Sequence, residues 1–277
     1  MELCAHMRCF PMYSMEKAVE IVAQLGFKSL EVAAVRPGLS YPDDYTKDDV
    51  LKLRDHIRSN GLRVAAIHTD DGSPHTSNLT NYNERVRRWK IEHLKTSAEL
   101  ASLLDADVVS TTCGYSMLTE TPRQEAWKWA MEGFTEAAKT SKTHGVSLAL
   151  EPAPGTIIRD SKDGIRMLDE INMDNVKLLL DTGHAMIASH NSWRENGPTL
   201  ADSIHDSRKY LIHVHVDDNN GTMDEHLVPG TGVVDFETVL AALRDINYER
   251  YLSFEISARD PRKGLRDSKR YIEKLLK

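Results

Sequence analysis

The sequence has few cysteines, no long apolar run and no recognisable leader. Three cysteines, Cys4, Cys9 and Cys113, occur in 277 residues. Cysteines that are this few and odd in number do not suit a disulfide framework. They are typical of reduced thiols in a cytoplasmic protein. The N-terminus lacks a basic flank followed by an apolar segment, and no run approaches the roughly 20 apolar residues of a transmembrane helix. We therefore expect a cytoplasmic protein without a membrane partner.

An excess of basic residues is also missing. The formal net charge is −7 and the isoelectric point is near 5.9, whereas proteins that bind nucleic acids or anionic membranes usually present a basic surface. A nucleic-acid partner is therefore not expected. Neither a linker nor a low-complexity segment interrupts the sequence, so we expect one domain that covers residues 1–277.

Short apolar runs typical of β-strands alternate with amphipathic helical patterns along the whole chain. Strands that alternate with helices predict a parallel sheet, and eight such units predict closure into a (β/α)8 TIM barrel. The predicted strands cover residues 3–10, 29–34, 63–68, 107–112, 146–151, 176–181, 211–216 and 251–256.

The predicted helices begin at residues whose side chains can cap a helix N-terminus. Ser14, Thr46, Ser161 and Asp235 each precede an amphipathic run, as N-cap residues do. The longest irregular segments follow strands, which is where such barrels carry their functional sites. They cover residues 36–45, 69–80 and 219–234.

The ends of the last four strands carry side chains that can bind a metal ion. Strand five ends at Glu151, strand six at Asp181, strand seven at His215 and strand eight at Glu255. A barrel brings these ends together, and three carboxylates with one imidazole suit Mn²⁺, Mg²⁺ or Co²⁺, with Zn²⁺ also acceptable. Any one of the four could be an ordinary polar residue at a strand end. Four in register on consecutive strands favour a divalent metal site.

Other polar side chains leave more than one interpretation open. His68, at the end of strand three, either contacts the substrate or a second ion, or caps a loop. Glu31 either bonds a sugar hydroxyl or forms a salt bridge inside the barrel. His226 and Asp224 could bind a substrate hydroxyl, bind a second metal or order their loop. His213 lies on the same strand face as His215, one layer deeper, and is interpreted as a packed core histidine.

Five motifs in the second half of the chain resemble those of the xylose isomerase-like barrel superfamily, which contains sugar isomerases and epimerases and also endonuclease IV. The first half resembles it in pattern only. The strongest likeness is to sugar 3-epimerases of the tagatose/psicose and fructoselysine type. The motifs are Leu150-Glu151-Pro152, Leu180-Asp181-Thr182-Gly183-His184, His213-Val214-His215, Asp224-Glu225-His226 with Pro229-Gly230-Thr231-Gly232, and Ser253-Phe254-Glu255.

The resemblance implies a divalent-metal-dependent isomerase or epimerase. It implies metal ligation by Glu151, Asp181, His215 and Glu255, a substrate contact by His184, a sugar or polyol substrate, and a homo-oligomer, either dimer or tetramer. The expected chemistry is removal of the proton beside a metal-polarised carbonyl, through an enediolate. Glu151 and Glu255, from strands on opposite sides of a bound sugar, are the expected acid/base pair. Trp193 is a candidate platform for the sugar ring.

Departures from the psicose-type pattern leave the substrate open. No further Glu follows Glu151 before Arg159, and Gly221 stands where that pattern has an arginine, so free psicose or tagatose is not expected. A lyase or dehydratase on a keto-inositol or dehydroshikimate-like compound could use the same metal site. His68 matches a zinc ligand of endonuclease IV, but strand four ends without the matching histidine, so DNA repair is the weaker alternative. No glycine-rich phosphate loop is present, which favours an unphosphorylated substrate.

Overall fold

Eight parallel strands close into a barrel in the computed structural model, which describes residues 1–36, 38–70, 78–114, 121–190 and 198–277. Each strand pairs in parallel with the next, and the first also pairs with the last, so the barrel is complete. The predicted (β/α)8 fold is therefore confirmed. The strands are β1 Glu2–His6, β2 Ser29–Ala33, β3 Arg63–His68, β4 Val108–Thr112, β5 Ser147–Glu151, β6 Val176–Asp181, β7 Leu211–Val216 and β8 Tyr251–Phe254.

Helices surround the barrel, and three of the four predicted caps are confirmed. Ser14, Thr46 and Asp235 accept backbone N–H bonds at helix starts. The prediction for Ser161 is wrong, because the Asp160 carboxylate is the cap and Ser161 is already helical. The helices are α1 Met15–Gln24, α2 Lys47–Ser59, α3 Glu84–Leu103, α4 Arg123–Thr143, α5 Ser161–Ile171, α6 Thr182–His190, α7 Leu200–Ser207, α8 Phe236–Asp245 and α9 Pro261–Leu276.

Two local predictions need correction. The first strand ends at His6, and the chain then forms a 3₁₀ turn over Met7–Cys9 instead of remaining extended to Phe10. The sequence analysis also missed α6, which begins directly after Asp181. Its first turn is stabilised because an Asp181 oxygen accepts the backbone N–H of His184 at 2.7 Å. The same contact holds His184 above the end of β6.

The barrel interior is layered, and this layering positions the polar residues. Because side chains alternate between the two faces of a strand, residues two apart point the same way. Ala66, Val108, Ala149 and Leu179 form a small buried apolar cluster. Two residues further along the same strands lie His68, Ser110, Glu151 and Asp181. The interior therefore changes from apolar to polar towards the carboxyl ends of the strands, which is the end where such barrels carry their sites.

The main apolar core lies between the strands and the surrounding helices. It is a continuous cluster of buried residues contributed by elements from β1 to α9. Such a core fixes the strand ends and so the side chains that they carry. Across the described ranges, no helix is both long and apolar enough to cross a membrane.

Candidate metal and substrate site

Four acidic and imidazole side chains meet at the carboxyl end of the barrel. Glu151 and Asp181 are the last residues of β5 and β6, His215 is the next to last of β7, and Glu255 directly follows β8. One potential ligand atom from each lies within 4.8 Å of the others, and all four residues are buried. The structure thus brings together the four residues that the sequence analysis proposed as metal ligands.

His215 lies between carboxylates on both sides of its ring. Its Nδ1 is 2.9 Å from Glu255 Oε2 and 3.5 Å from Glu151 Oε1. Its Nε2 is 3.2 Å from both oxygens of Glu31. Burial alone would lower the pKa of His215, but Glu31, Glu255 and Glu151 raise that pKa well above its usual value. The surroundings of this imidazole therefore favour a positive charge, which a proton or a metal ion can supply.

The residues at this point fit a divalent cation. Asp181 Oδ2 is buried and has no hydrogen-bond partner within the described part of the chain. Burial and the neighbouring Asp217 carboxylate raise the pKa of Asp181 well above its usual value, because two buried like charges repel each other. A cation bound here would supply the missing partner, and three carboxylates with one imidazole are a suitable donor set for it.

Glu31 lies one layer below the four residues and bonds histidines. Its Oε2 is 2.8 Å from His213 Nε2, and its Oε1 accepts a hydrogen bond from Ser110 at 3.4 Å. Two roles were considered for Glu31, and the structure shows the ion pair inside the barrel, with His213 and His215. A carboxylate that bonds the second nitrogen of a metal-binding imidazole fixes the ring and its tautomer. In this arrangement Nδ1 of His215 faces the carboxylates of Glu151 and Glu255.

His68 and His184 lie on either side of Glu151. His68 Nδ1 is 3.9 Å from Glu151 Oε2 and 3.0 Å from Ser110 Oγ. His184 Nδ1 is 3.4 Å from Glu151 Oε1, and His184 Nε2 is 3.2 Å from Asp224 Oδ2. Burial would lower the pKa of His184, but Asp181 and Asp224 raise it well above its usual value. Both histidines therefore border the space in front of Glu151.

His226 borders the site beside Glu255, whose backbone oxygen lies 3.1 Å from His226 Nδ1. Its Nδ1 is 3.2 Å from Asp217 Oδ2, and its Nε2 is 3.4 Å from Asp224 Oδ2. Asp224 thus lies between His184 and His226. These three residues, and separately Asp181 with Asp217 and His226, also have ligand atoms within 4.8 Å of one another. The rim of the site is as rich in potential ligands as its centre.

Asp218 stabilises the loop that carries Asp224 and His226. Its carboxylate accepts backbone N–H groups from Gly230 at 3.0 Å, Gly232 at 2.8 Å and Val234 at 3.0 Å. The Asp218 carboxylate therefore points into the loop.

Some residues of the site come from the start of the chain and are not among the residues that were predicted to form it. His6, the last residue of β1, is fully buried, with its ring against those of His68 and His215. Arg8 follows in the 3₁₀ turn, and its Nη1 is 2.7 Å from Glu255 Oε1. The strand-end rule used for the late strands did not find His6, because the predicted first strand ran on to Phe10 whereas β1 ends at His6. Trp193, the proposed sugar platform, lies outside the described residues.

Comparison with known proteins identifies relatives across most of the chain. An uncharacterized protein of Methanocaldococcus jannaschii is 28% identical over 265 residues, which cover 94% of this chain and 85% of that protein. A D-psicose 3-epimerase of Enterocloster bolteae is 28% identical over 244 residues, covering 84% and 74%. An inosose dehydratase of Clostridium perfringens is 26% identical over 278 aligned positions, covering 89% and 83%.

Solved structures and a family model agree with these relatives. A D-tagatose 3-epimerase-like protein superposes with a TM-score of 0.83 at 25% identity, over 100% of this chain and 97% of that one. The IOLI protein, solved with a zinc atom, shares the fold, with a TM-score of 0.81 at 19% identity over 100% and 98%. The family model described as xylose isomerase-like TIM barrel matches residues 19–275. The chain therefore belongs to the xylose isomerase-like TIM barrel family and is a homologue of its ketose 3-epimerases.

Proposed function

We propose that this protein is a divalent-metal-dependent epimerase or isomerase of a sugar or sugar derivative. The observation that carries the proposal is the buried group of Glu151, Asp181, His215 and Glu255, with ligand atoms within 4.8 Å of one another. The similarity to sugar 3-epimerases over more than four fifths of the chain supports the substrate class.

In this proposal the four residues hold the metal ion, and two of them also move a proton. When bound, a divalent ion at this site polarises a carbonyl and makes the neighbouring C–H acidic. Glu151 and Glu255 each have one oxygen towards His215 Nδ1. Their other oxygens diverge, with Glu151 Oε2 towards His68 and Glu255 Oε1 towards Arg8. This divergence supports the proposal that the two carboxylates act on opposite faces of a sugar carbon.

The direction of proton return decides the product. If one carboxylate removes the proton beside the carbonyl and the other returns a proton to the opposite face of the same carbon, the configuration inverts. If the proton returns to the neighbouring carbon, the product is an isomer. His184, His68 and His226 border the same space and are proposed to bind substrate hydroxyl or carbonyl oxygens. Glu31, the remaining predicted substrate contact, is proposed to orient His215 instead.

A dehydratase is the second candidate function. The similarity to an inosose dehydratase is comparable to that with the epimerases. Both reactions begin with the same proton removal, and they differ in whether a hydroxyl group leaves from the carbon next to the carbanion. A coupled assay for loss of water from a keto-polyol, run beside the epimerisation assay, separates the two candidates.

The proposed proton transfer can be tested with Glu255→Gln. Glutamine keeps the size of the side chain but cannot act as a base, so exchange of the ketose α-proton with D₂O should fall by about 10²–10⁴-fold. The measurement is ¹H NMR of a panel of ketoses incubated with the Mn²⁺-loaded protein. Glu99→Gln is the matched control, because Glu99 bonds Tyr41 on another part of the molecule. Full exchange by a folded Glu255→Gln variant would remove the assigned role.

A further inference from the structure

Arg8 is held firmly at its backbone while its side chain remains half exposed. The backbone N–H of Arg8 donates to His6 Nδ1 at 3.0 Å. On either side of it, Met7 and Cys9 are buried, and the Cys9 thiol lies 3.4 Å from the carbonyl oxygen of Phe254 in β8. The Arg8 side chain is 40% exposed. The turn therefore directs the side chain of Arg8 towards the site.

The guanidinium of Arg8 uses only part of its bonding capacity. Nη1 donates to Glu255 Oε1 at 2.7 Å. A guanidinium has five N–H donors in a planar fork. No acceptor for the Nε and Nη2 donors is found among the residues that the structure describes. One edge of the fork is thus free to bind two oxygens of a ligand.

Arg8 also lines a groove that adjoins the site. The groove has a volume of about 250 Å³, and Met7, Phe10 and Tyr13 contribute to its walls. Arg36 is a second cation in this groove, but its Nε and Nη2 already donate to Asp44 at 2.7 and 2.8 Å. Arg8 lines the groove and also contacts Glu255. A ligand that extends from the four-residue site into the groove would therefore pass the unpaired N–H donors of the Arg8 guanidinium.

We infer that Arg8 binds an anionic group, a carboxylate or a phosphate, on the keto-sugar whose carbonyl lies at the four-residue site. This inference rests on the proposed function and specifies its substrate class. A planar fork that presents two parallel N–H donors matches carboxylate and phosphate oxygens in geometry and charge. The surrounding carboxylates of Glu151, Asp181 and Glu255 would repel an anion, so a cation beside them is needed if the substrate is acidic. The role does not require a glycine-rich phosphate loop.

Calorimetric binding of three matched probes tests the inference. The probes are D-fructose, its terminal carboxylate D-fructuronate and D-fructose 6-phosphate, each titrated into the Mn²⁺-loaded protein. One of the two anionic probes should bind at least tenfold more tightly than fructose, as a rough figure for a charge-assisted pair. Whichever probe shows the gain identifies the carboxylate or the phosphate as the group recognised.

Two arginine variants from the same groove give the matched comparison. In Arg8→Leu the ratio of anionic to neutral affinity should fall to about one, whereas Arg36→Leu should keep the wild-type ratio, since Arg36 is occupied by Asp44. Circular dichroism establishes that both variants are folded. Equal binding of all three probes by the wild-type protein, or an unchanged ratio in Arg8→Leu, would overturn the inference.

The proton-exchange assay separates this result from the proposed function. If ketoses exchange their α-proton but no anionic preference exists, the epimerase proposal stands and the role of Arg8 fails. If the metal-loaded protein binds none of the three probes and exchanges no ketose proton, both proposals fail.

Discussion

His213 and His215 lie on the same face of β7 and both contact Glu31, but only His215 also faces the carboxylates of Glu151 and Glu255. His215 Nδ1 faces Glu255 and Glu151, whereas His213 Nε2 is 2.8 Å from Glu31. Both residues are fully buried. A two-residue step along one strand therefore separates a proposed metal ligand from a residue that supports the carboxylate beneath it. Neither role can be assigned from burial alone.

This difference gives a paired prediction. His213→Gln should lower the free energy of unfolding by about 1–3 kcal/mol, because it disturbs a buried bond to a carboxylate. His215→Gln should weaken Mn²⁺ binding by more than roughly 10–100-fold, which is the loss expected when a residue that hydrogen-bonds a metal ligand, rather than the ligand itself, is replaced. Denaturant unfolding and metal titration on both variants provide the measurements. A selective loss of metal binding in His213→Gln would show that the two roles are reversed.

Site residues were predictable from the sequence where they stand at the end of a strand. The clustering of Glu151, Asp181, His215 and Glu255 was predictable because each stands at or next to the end of a short apolar run. The roles of Glu31 and Arg8 were not, because each depends on contacts across the barrel: Glu31 with β7, and Arg8 with a residue 247 positions away in sequence. Such contacts follow from closure of the sheet, which local patterns do not describe.

At the scale of elements, the Asp218 side chain stabilises the second half of the segment between β7 and α8. Three backbone N–H groups of this loop, from Gly230, Gly232 and Val234, donate to the Asp218 carboxylate. Asp218 also pairs with Leu227 through two backbone bonds. The loop therefore has a fixed shape, which places Asp224 and His226 at the rim of the site.

Asp218→Ala should loosen this loop while the barrel remains folded. Loss of a buried carboxylate that accepts several N–H bonds should cost about 1–3 kcal/mol and leave those amides without a partner. Hydrogen exchange at the amides of Gly230, Gly232 and Val234 should become faster. Asp260→Ala is a suitable control, because Asp260 caps α9 in a similar way but outside this loop. Unchanged protection of the three amides would show that Asp218 does not stabilise the loop.

Element boundaries were predictable where the apolar pattern ended sharply. The predicted strands 63–68, 176–181 and 211–216 have the observed bounds. Helix α6 was missed because Asp-Thr-Gly-His suggests a turn. Gly183 is needed there for a close approach, since a Cβ atom at this position would lie 2.6 Å from Asp217 Oδ2. The glycine thus permits a helix to pack against the next strand end instead of breaking it.

At the scale of the whole molecule, barrel closure assembles the site from both ends of the chain. The second half supplies the four proposed ligands, and the first half supplies Glu31, His68 and Arg8 around them. Pairing of β1 with β8 brings Ala5 beside Phe254 and so places the turn after β1 next to Glu255. The eightfold alternation of strands and helices was sufficient to predict the fold, but not which first-half side chains meet the ligands.

The metal content of the purified protein, measured by elemental analysis and expressed per chain, tests the four-residue site without reference to any substrate. After incubation with Mn²⁺ and removal of excess ion, we expect one tightly bound ion per chain in the wild-type protein. We expect almost none in Asp181→Asn, because the variant loses a charged donor whose Oδ2 has no partner among the described residues. Three zinc ions per chain would instead indicate a trinuclear site. A wild-type protein that retains no ion after this treatment would contradict the central claim.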